Sequence, residues 1–149
     1  NVNSNFYPKS LLCPKATLAL SNSNKSTTLP DHYDIQRCYG INREGYPAFN
    51  LTVYRGLKSV KIARPSEKFH FMDGTDWLTS YSRSDYATYY GVKGESYDGT
   101  TYNNVPAYRH KRAINASFYD GHVGTSNYKD TWNGSSGSFN NEKWNVTAR

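Results

Sequence analysis

The chain has 149 residues, of which 36% are hydrophobic and 15% aromatic, with 14 tyrosines; this suits one domain with a real core and excludes a disordered segment. The formal net charge of +6 comes from scattered lysines and arginines, densest in "YRHKR" (108–112), with no basic stripe or reader motif, so nucleic acid is excluded as a partner. No apolar run is long enough to span a bilayer.

Along the chain, Cys13 and Cys38 come first. An even cysteine count in an Asn/Ser/Thr/Tyr-rich chain points to an exported protein with one disulfide, which would stabilise by about 3 kcal/mol through loop closure. Neither cysteine stands in a zinc-ligand spacing. The first strand candidates are "LKSVKIA" (57–63) and "EKFHFM" (67–72). In the latter the alternation predicts Phe69 and Phe71 on one face and His70 on the other. Residues 73–104 form an aromatic-rich excursion, too long for a bare connection, with a short helix around "SDYATYY" (84–90). "VPAYRHK" (105–111) and "AINASFYD" (113–120) are expected to pair as a hairpin, with Ile114, Ala116 and Phe118 sharing one face. The turn-rich C-terminal part, 126–149, is expected to be peripheral, with Trp132 and Trp144 available to pin it. The fold class read from these elements is β-dominated α+β.

Three chemistries can be drawn from the polar and aromatic residues. His110 and Asp120 stand about 33 Å apart on a single extended strand, so they meet only if the chain folds back. A catalytic pair also needs a nucleophile, and Ser117 has no elbow or oxyanion-loop pattern around it. The favoured reading is a staple, in which Asp120 takes turn N–H groups or an imidazole hydrogen bond. Asp73 and Asp76, with Asp98 or Asp120, offer oxygen ligands suited to calcium, although "DGTD" lacks the full EF-hand pattern. Zinc through His110 and His122 lacks a third ligand. Trp77, Tyr81, Tyr86, Tyr89 and Tyr90 are candidates for a sugar platform or a protein interface, or else serve as core.

The stretch "RHKRAINASFYDGHV" (109–123) resembles the processing-associated motif of prepilin-type proteins: a histidine, nine residues, then Asp-Gly. Arg109, His110, Asn115, Phe118, Asp120, Gly121, His122 and Val123 match it. Upstream, "LLCP" (11–14) is similar to the family's Cys-Pro segment, "YGIN" (39–42) to its Tyr-Gly-x-Asn, and "ARPSEKFHFMDG" (63–74) to its Pro-Ser-Glu strand. The turn "KRAI" lacks the family's usual glycines.

The resemblance implies residues 1–149 as a single pilin-like head, whose antiparallel sheet packs on an apolar N-terminal helix. The sequence is read as the exported head with that helix removed, which leaves an apolar groove exposed. The function implied is a structural, non-enzymatic pseudopilin of a bacterial type II secretion-like or surface-filament apparatus, periplasmic or at the cell surface. Its partners are other pseudopilin subunits, the secretion apparatus and, through the helix, the inner membrane. No cofactor is implied beyond calcium, which major pseudopilins bind in a head loop. The alternative function is a secreted carbohydrate-binding module; an exported hydrolase using His110 and Asp120 ranks third.

Overall fold

One extra residue, His70, decides which side of the central strand faces the core. The computed structural model describes residues 5–44, 61–90, 104–132 and 142–146. Within them lie strands β1 (Phe6–Pro8), β2 (His32–Asp34), β3 (Tyr39–Asn42), β4 (Phe69–Asp73), β5 (Leu78–Thr79), β6 (Ala113–Phe118) and β7 (Val123–Asn127), and helices α1 (Tyr86–Tyr90) and α2 (Tyr128–Thr131). Strands β1 and β2 pair antiparallel, and a second sheet runs β5-β3-β4-β6-β7, antiparallel except for the parallel β3–β5 pair. The chain is therefore β-dominated α+β.

Between Phe69, opposite Phe118, and Phe71, opposite Ser117, strand β4 carries one residue more than β6. Such a bulge switches the faces of everything beyond it. Phe69 is buried while Phe71 is exposed, so the expectation that they share a face fails for this reason. His70 turns aside and stacks on Tyr119, with ring centroids 4.4 Å apart. Beyond the bulge Met72 continues inward, and Phe71 and Asp73 lie on the other, outer face.

On β6 the expected alternation is present: Ile114 and Ala116 are buried, Phe118 packs against the same core, and Asn115 is exposed. The core joins Phe69, Met72, Ile114 and Ala116 of the sheet to Tyr81, Tyr90, Val105, Tyr108 and Trp144. Its polar tips are satisfied: Tyr108 Oη donates to the Ser84 carbonyl at 2.7 Å, Tyr90 Oη to that of Pro106 at 2.9 Å, and Trp144 Nε1 to that of Thr131 at 3.0 Å. A second cluster of Leu12, Cys13, Ala16, Ala19, Tyr33 and Cys38 forms the N-terminal part.

The hairpin is registered differently from the sequence expectation. The partner of β6 is β7, through the turn at residues 119–122. Segment 105–111 instead runs beside the end of β4, with Ala107 N–H donating to the Asp73 carbonyl at 2.8 Å and Pro106 bridging Gly74. It then reverses tightly: His110 and Ala113 exchange backbone bonds of 3.2 and 3.1 Å, with Lys111 at φ 54° and Arg112 at φ 62° between them. Two positive φ values mark a type I′ turn, which ordinarily takes Asn or Gly.

Two more expectations change. Residues 61–63 are not a strand, and 57–60 lie outside the described residues. The C-terminal part is not peripheral where it is described: Ser126 and Asn127 belong to β7, Thr131 and Trp144 are buried, and Phe69 N–H donates to the Lys143 carbonyl at 2.8 Å. The short helix expected in residues 84–90 is α1.

Candidate functional site

Cys13, Asp73 and His110 converge at one point from three separate segments. Cys13 follows the 3₁₀ turn Lys9–Leu11, Asp73 ends β4, and His110 opens the type I′ turn. The bond from Ala107 to the Asp73 backbone brings the last two side by side. His110 Nε2 lies 3.3 Å from Asp73 Oδ2 and 3.6 Å from Cys13 Sγ, and all three ligand-type atoms fall within 4.8 Å of one another. Cys13 and Asp73 are buried, and His110 is half-buried.

The surroundings hold this geometry. Asp73 Oδ2 accepts the Asn115 backbone N–H at 2.7 Å. Arg109, buried beside His110, donates to the carbonyls of Cys38 at 2.9 Å, Gly74 at 3.0 Å and Arg37 at 3.2 Å. Its guanidinium thus ties the N-terminal part to the end of β4. Asn42 does the same deeper in the core, donating to the carbonyls of Phe69 at 3.0 Å and Trp144 at 2.8 Å. Gly40 must be glycine because an added Cβ would lie 2.5 Å from the Asp76 carbonyl oxygen.

The expected disulfide is not formed: Cys13 and Cys38 are both free and buried. They are neighbours, with the Cys13 N–H donating to Cys38 Sγ at 3.1 Å, but the Cys13 thiol faces His110 instead. Burial pushes the Cys38 thiol up to about 11, and burial likewise raises the Tyr39 phenol well above its ordinary value. Burial therefore favours the protonated form of the Cys38 thiol.

His110 and Asp120 do not pair. Asp120 is exposed and accepts from His122, at 2.7 Å from the ring Nδ1 and 3.1 Å from the backbone N–H. Its carboxyl is held below the usual range by the side-chain hydrogen bond from His122. Gly121 takes φ 95°, and His122 stacks on Phe118 with centroids 4.2 Å apart. Asp-Gly-His is thus a self-contained turn, and the staple is local rather than between the motif's two ends. His110 uses one nitrogen toward both Cys13 and Asp73, whereas a nucleophile–histidine–carboxylate relay uses opposite ring nitrogens.

Among the described residues, Asp73, Asp76 and Asp120 do not form one oxygen-ligand cluster. Asp73 is committed as above, Asp76 Oδ1 accepts the Trp77 N–H at 2.9 Å, Asp120 is in its turn, and Asp98 lies outside the described residues. The aromatic candidates do not form a platform either. Tyr81 and Tyr90 are buried in the core, Tyr86 and Tyr89 pack against it, and only Trp77 of the five is exposed.

On the outer face of the sheet a groove of about 450 Å³ opens beside the cluster. It is lined by Leu11, Leu12, Phe71, Ser117 and Val123 together with Cys13, Asp73 and His110. Leu11, Phe71 and Val123 are 57%, 46% and 74% exposed, high values for large apolar side chains on one face. The sequence hid the cluster because its members are far apart in the chain. The signal available was that each sits in a different landmark segment: Cys-Pro, the strand ending in Asp-Gly, and Arg-His. Comparisons with protein-family models, curated protein sequences and solved structures found no match for the chain.

Proposed function

We propose that the chain is the head of a pilin-like, non-enzymatic subunit of a bacterial type II secretion-like or surface-filament apparatus. Its sheet packs its outer face on an apolar helix that precedes the head in the same polypeptide. The observation that carries this reading is the run of exposed apolar side chains, Leu11, Phe71 and Val123, along one groove of that face. Leu11 and Leu12, in the N-terminal segment, themselves line the groove, which supports a helix of the same polypeptide as its occupant.

The roles of the landmark residues support the reading. Arg109, Asn42 and Gly40 serve to build the fold, as expected of a scaffold whose work is assembly. In this account the protein is periplasmic or at the cell surface, its partners are further subunits of the same kind and the secretion apparatus, and the helix anchors it in the inner membrane.

The test is hydroxyl-radical footprinting of Leu11, Phe71 and Val123 in the full gene product and in the 149-residue chain. The account expects all three to be labelled in the isolated chain and protected in the full product. Equal labelling in both would remove the groove as the helix seat.

A further inference from the structure

We propose that Cys13, Asp73 and His110 form a zinc-binding site with three protein ligands and a fourth position open to the groove. The inference is independent of the pilin-like reading, since it rests on the cluster's own geometry.

The donor set is one imidazole nitrogen, one carboxylate oxygen and one sulfur. That mixture suits a borderline divalent ion and not calcium or magnesium, which take oxygen ligands. Two of the three separations match those of a tetrahedral ion, and the third, Cys13 Sγ to the Asp73 carboxylate, lies within 4.8 Å. Ligands about 2.0–2.2 Å (N, O) and 2.3 Å (S) from a tetrahedral zinc stand roughly 3.3–3.5 Å (N to O) and 3.5–3.6 Å (N to S) from each other. The corresponding separations here are 3.3 Å from His110 Nε2 to Asp73 Oδ2 and 3.6 Å from His110 Nε2 to Cys13 Sγ. Both contacts use the same imidazole nitrogen, which is how a ring points at a shared ion.

Asp73 Oδ2 accepts the Asn115 N–H, the kind of bond that orients a ligating carboxylate, and the backbones that carry Cys13 and His110 are held by the Cys13 N–H on Cys38 Sγ and by the reciprocal His110–Ala113 bonds. All three ligands line the groove, so a water or a group from whatever occupies the groove completes the coordination. Binding converts the Cys13 thiol to a thiolate and releases its proton to solvent. Cys38 is excluded as a ligand, because its sulfur faces the Cys13 backbone. A Cys13–Cys38 disulfide and the zinc site are mutually exclusive, since each needs the Cys13 sulfur.

The experiment uses the 149-residue chain, purified reduced, incubated with zinc chloride, freed of loose metal by gel filtration and analysed for bound zinc. The expected result is one zinc per chain, retained in Cys38→Ser and lost in both Cys13→Ser and His110→Gln. Circular dichroism of each variant separates loss of metal from loss of fold. Cobalt(II) provides a second readout: a sulfur-to-cobalt charge-transfer band in the wild type that disappears in folded Cys13→Ser. Zinc retained by Cys13→Ser or by His110→Gln, no zinc in the reduced folded wild type, or a Cys13–Cys38 disulfide without zinc in protein from its own cells would each overturn the proposal.

Discussion

Arg109 and Asp120 stand near opposite ends of the same motif, and the structure assigns them opposite weights. The Arg109 guanidinium is buried and donates to three carbonyls on two segments. Arg109→Met leaves those carbonyls without a charged donor and should cost about 3 kcal/mol, measured by urea denaturation. Asp120 touches only its own turn at the surface, so Asp120→Ala should leave the denaturation midpoint within error. A large loss there would mean that the turn carries more of the fold than its exposure implies. His70 gives a pH signature. Burial beside Phe71 and Tyr119 lowers its pKa below 6.5 in the folded chain. As pH falls through 6.5 the unfolded chain takes up the proton first, so stability declines there and levels off below the folded pKa. His70→Asn should remove this part of the slope below about pH 6.5; an identical slope in the variant would contradict the assignment.

At the level of elements, the alternation of Ile114, Ala116 and Phe118 was readable because β6 lies in regular register with one face toward the core. Strand β4 was readable in place but not in facing, since nothing in "FHFMD" marks His70 as the bulged residue. The pairing partner of β6 was misread because the I′ turn and the Asp-Gly-His turn both reverse the chain, and the strand that follows the second continues the sheet. The first reversal carries strain. Lys111 and Arg112 hold positive φ without being Asn or Gly, a conformation costing roughly 1–2 kcal/mol for an ordinary residue. Arg112 recovers a little through its contact over the Tyr86 ring. The double substitution Lys111→Asn with Arg112→Gly should therefore stabilise by about 1 kcal/mol, read from the shift in denaturation midpoint. An unchanged or lower midpoint would show that the turn is not strained.

For the whole molecule, the N-terminal segment lines the groove on the outer face of the sheet, while Trp144 packs on its inner face. On the inner side Trp144 is buried against Phe69 and Tyr81, with its indole N–H held by Thr131. Trp144→Ala should cost about 3–5 kcal/mol by calorimetry or denaturant, whereas a truly peripheral tail would cost nothing measurable. On the outer side the N-terminal segment leaves the apolar groove open. The class of fold was legible from strand and turn patterns. The convergence of Cys13, Asp73 and His110 was not, because bringing them together depends on long-range pairing that no local pattern encodes. The proposal that an apolar helix of the same polypeptide seats on this outer face stands or falls with mass spectrometry and N-terminal sequencing of the mature protein from its own cells. The expected mature chain starts with an N-methylated aromatic residue and an apolar helix and continues into the sequence at Asn1. A mature chain with no apolar segment before the head, or one cut by a conventional signal peptidase, would contradict it.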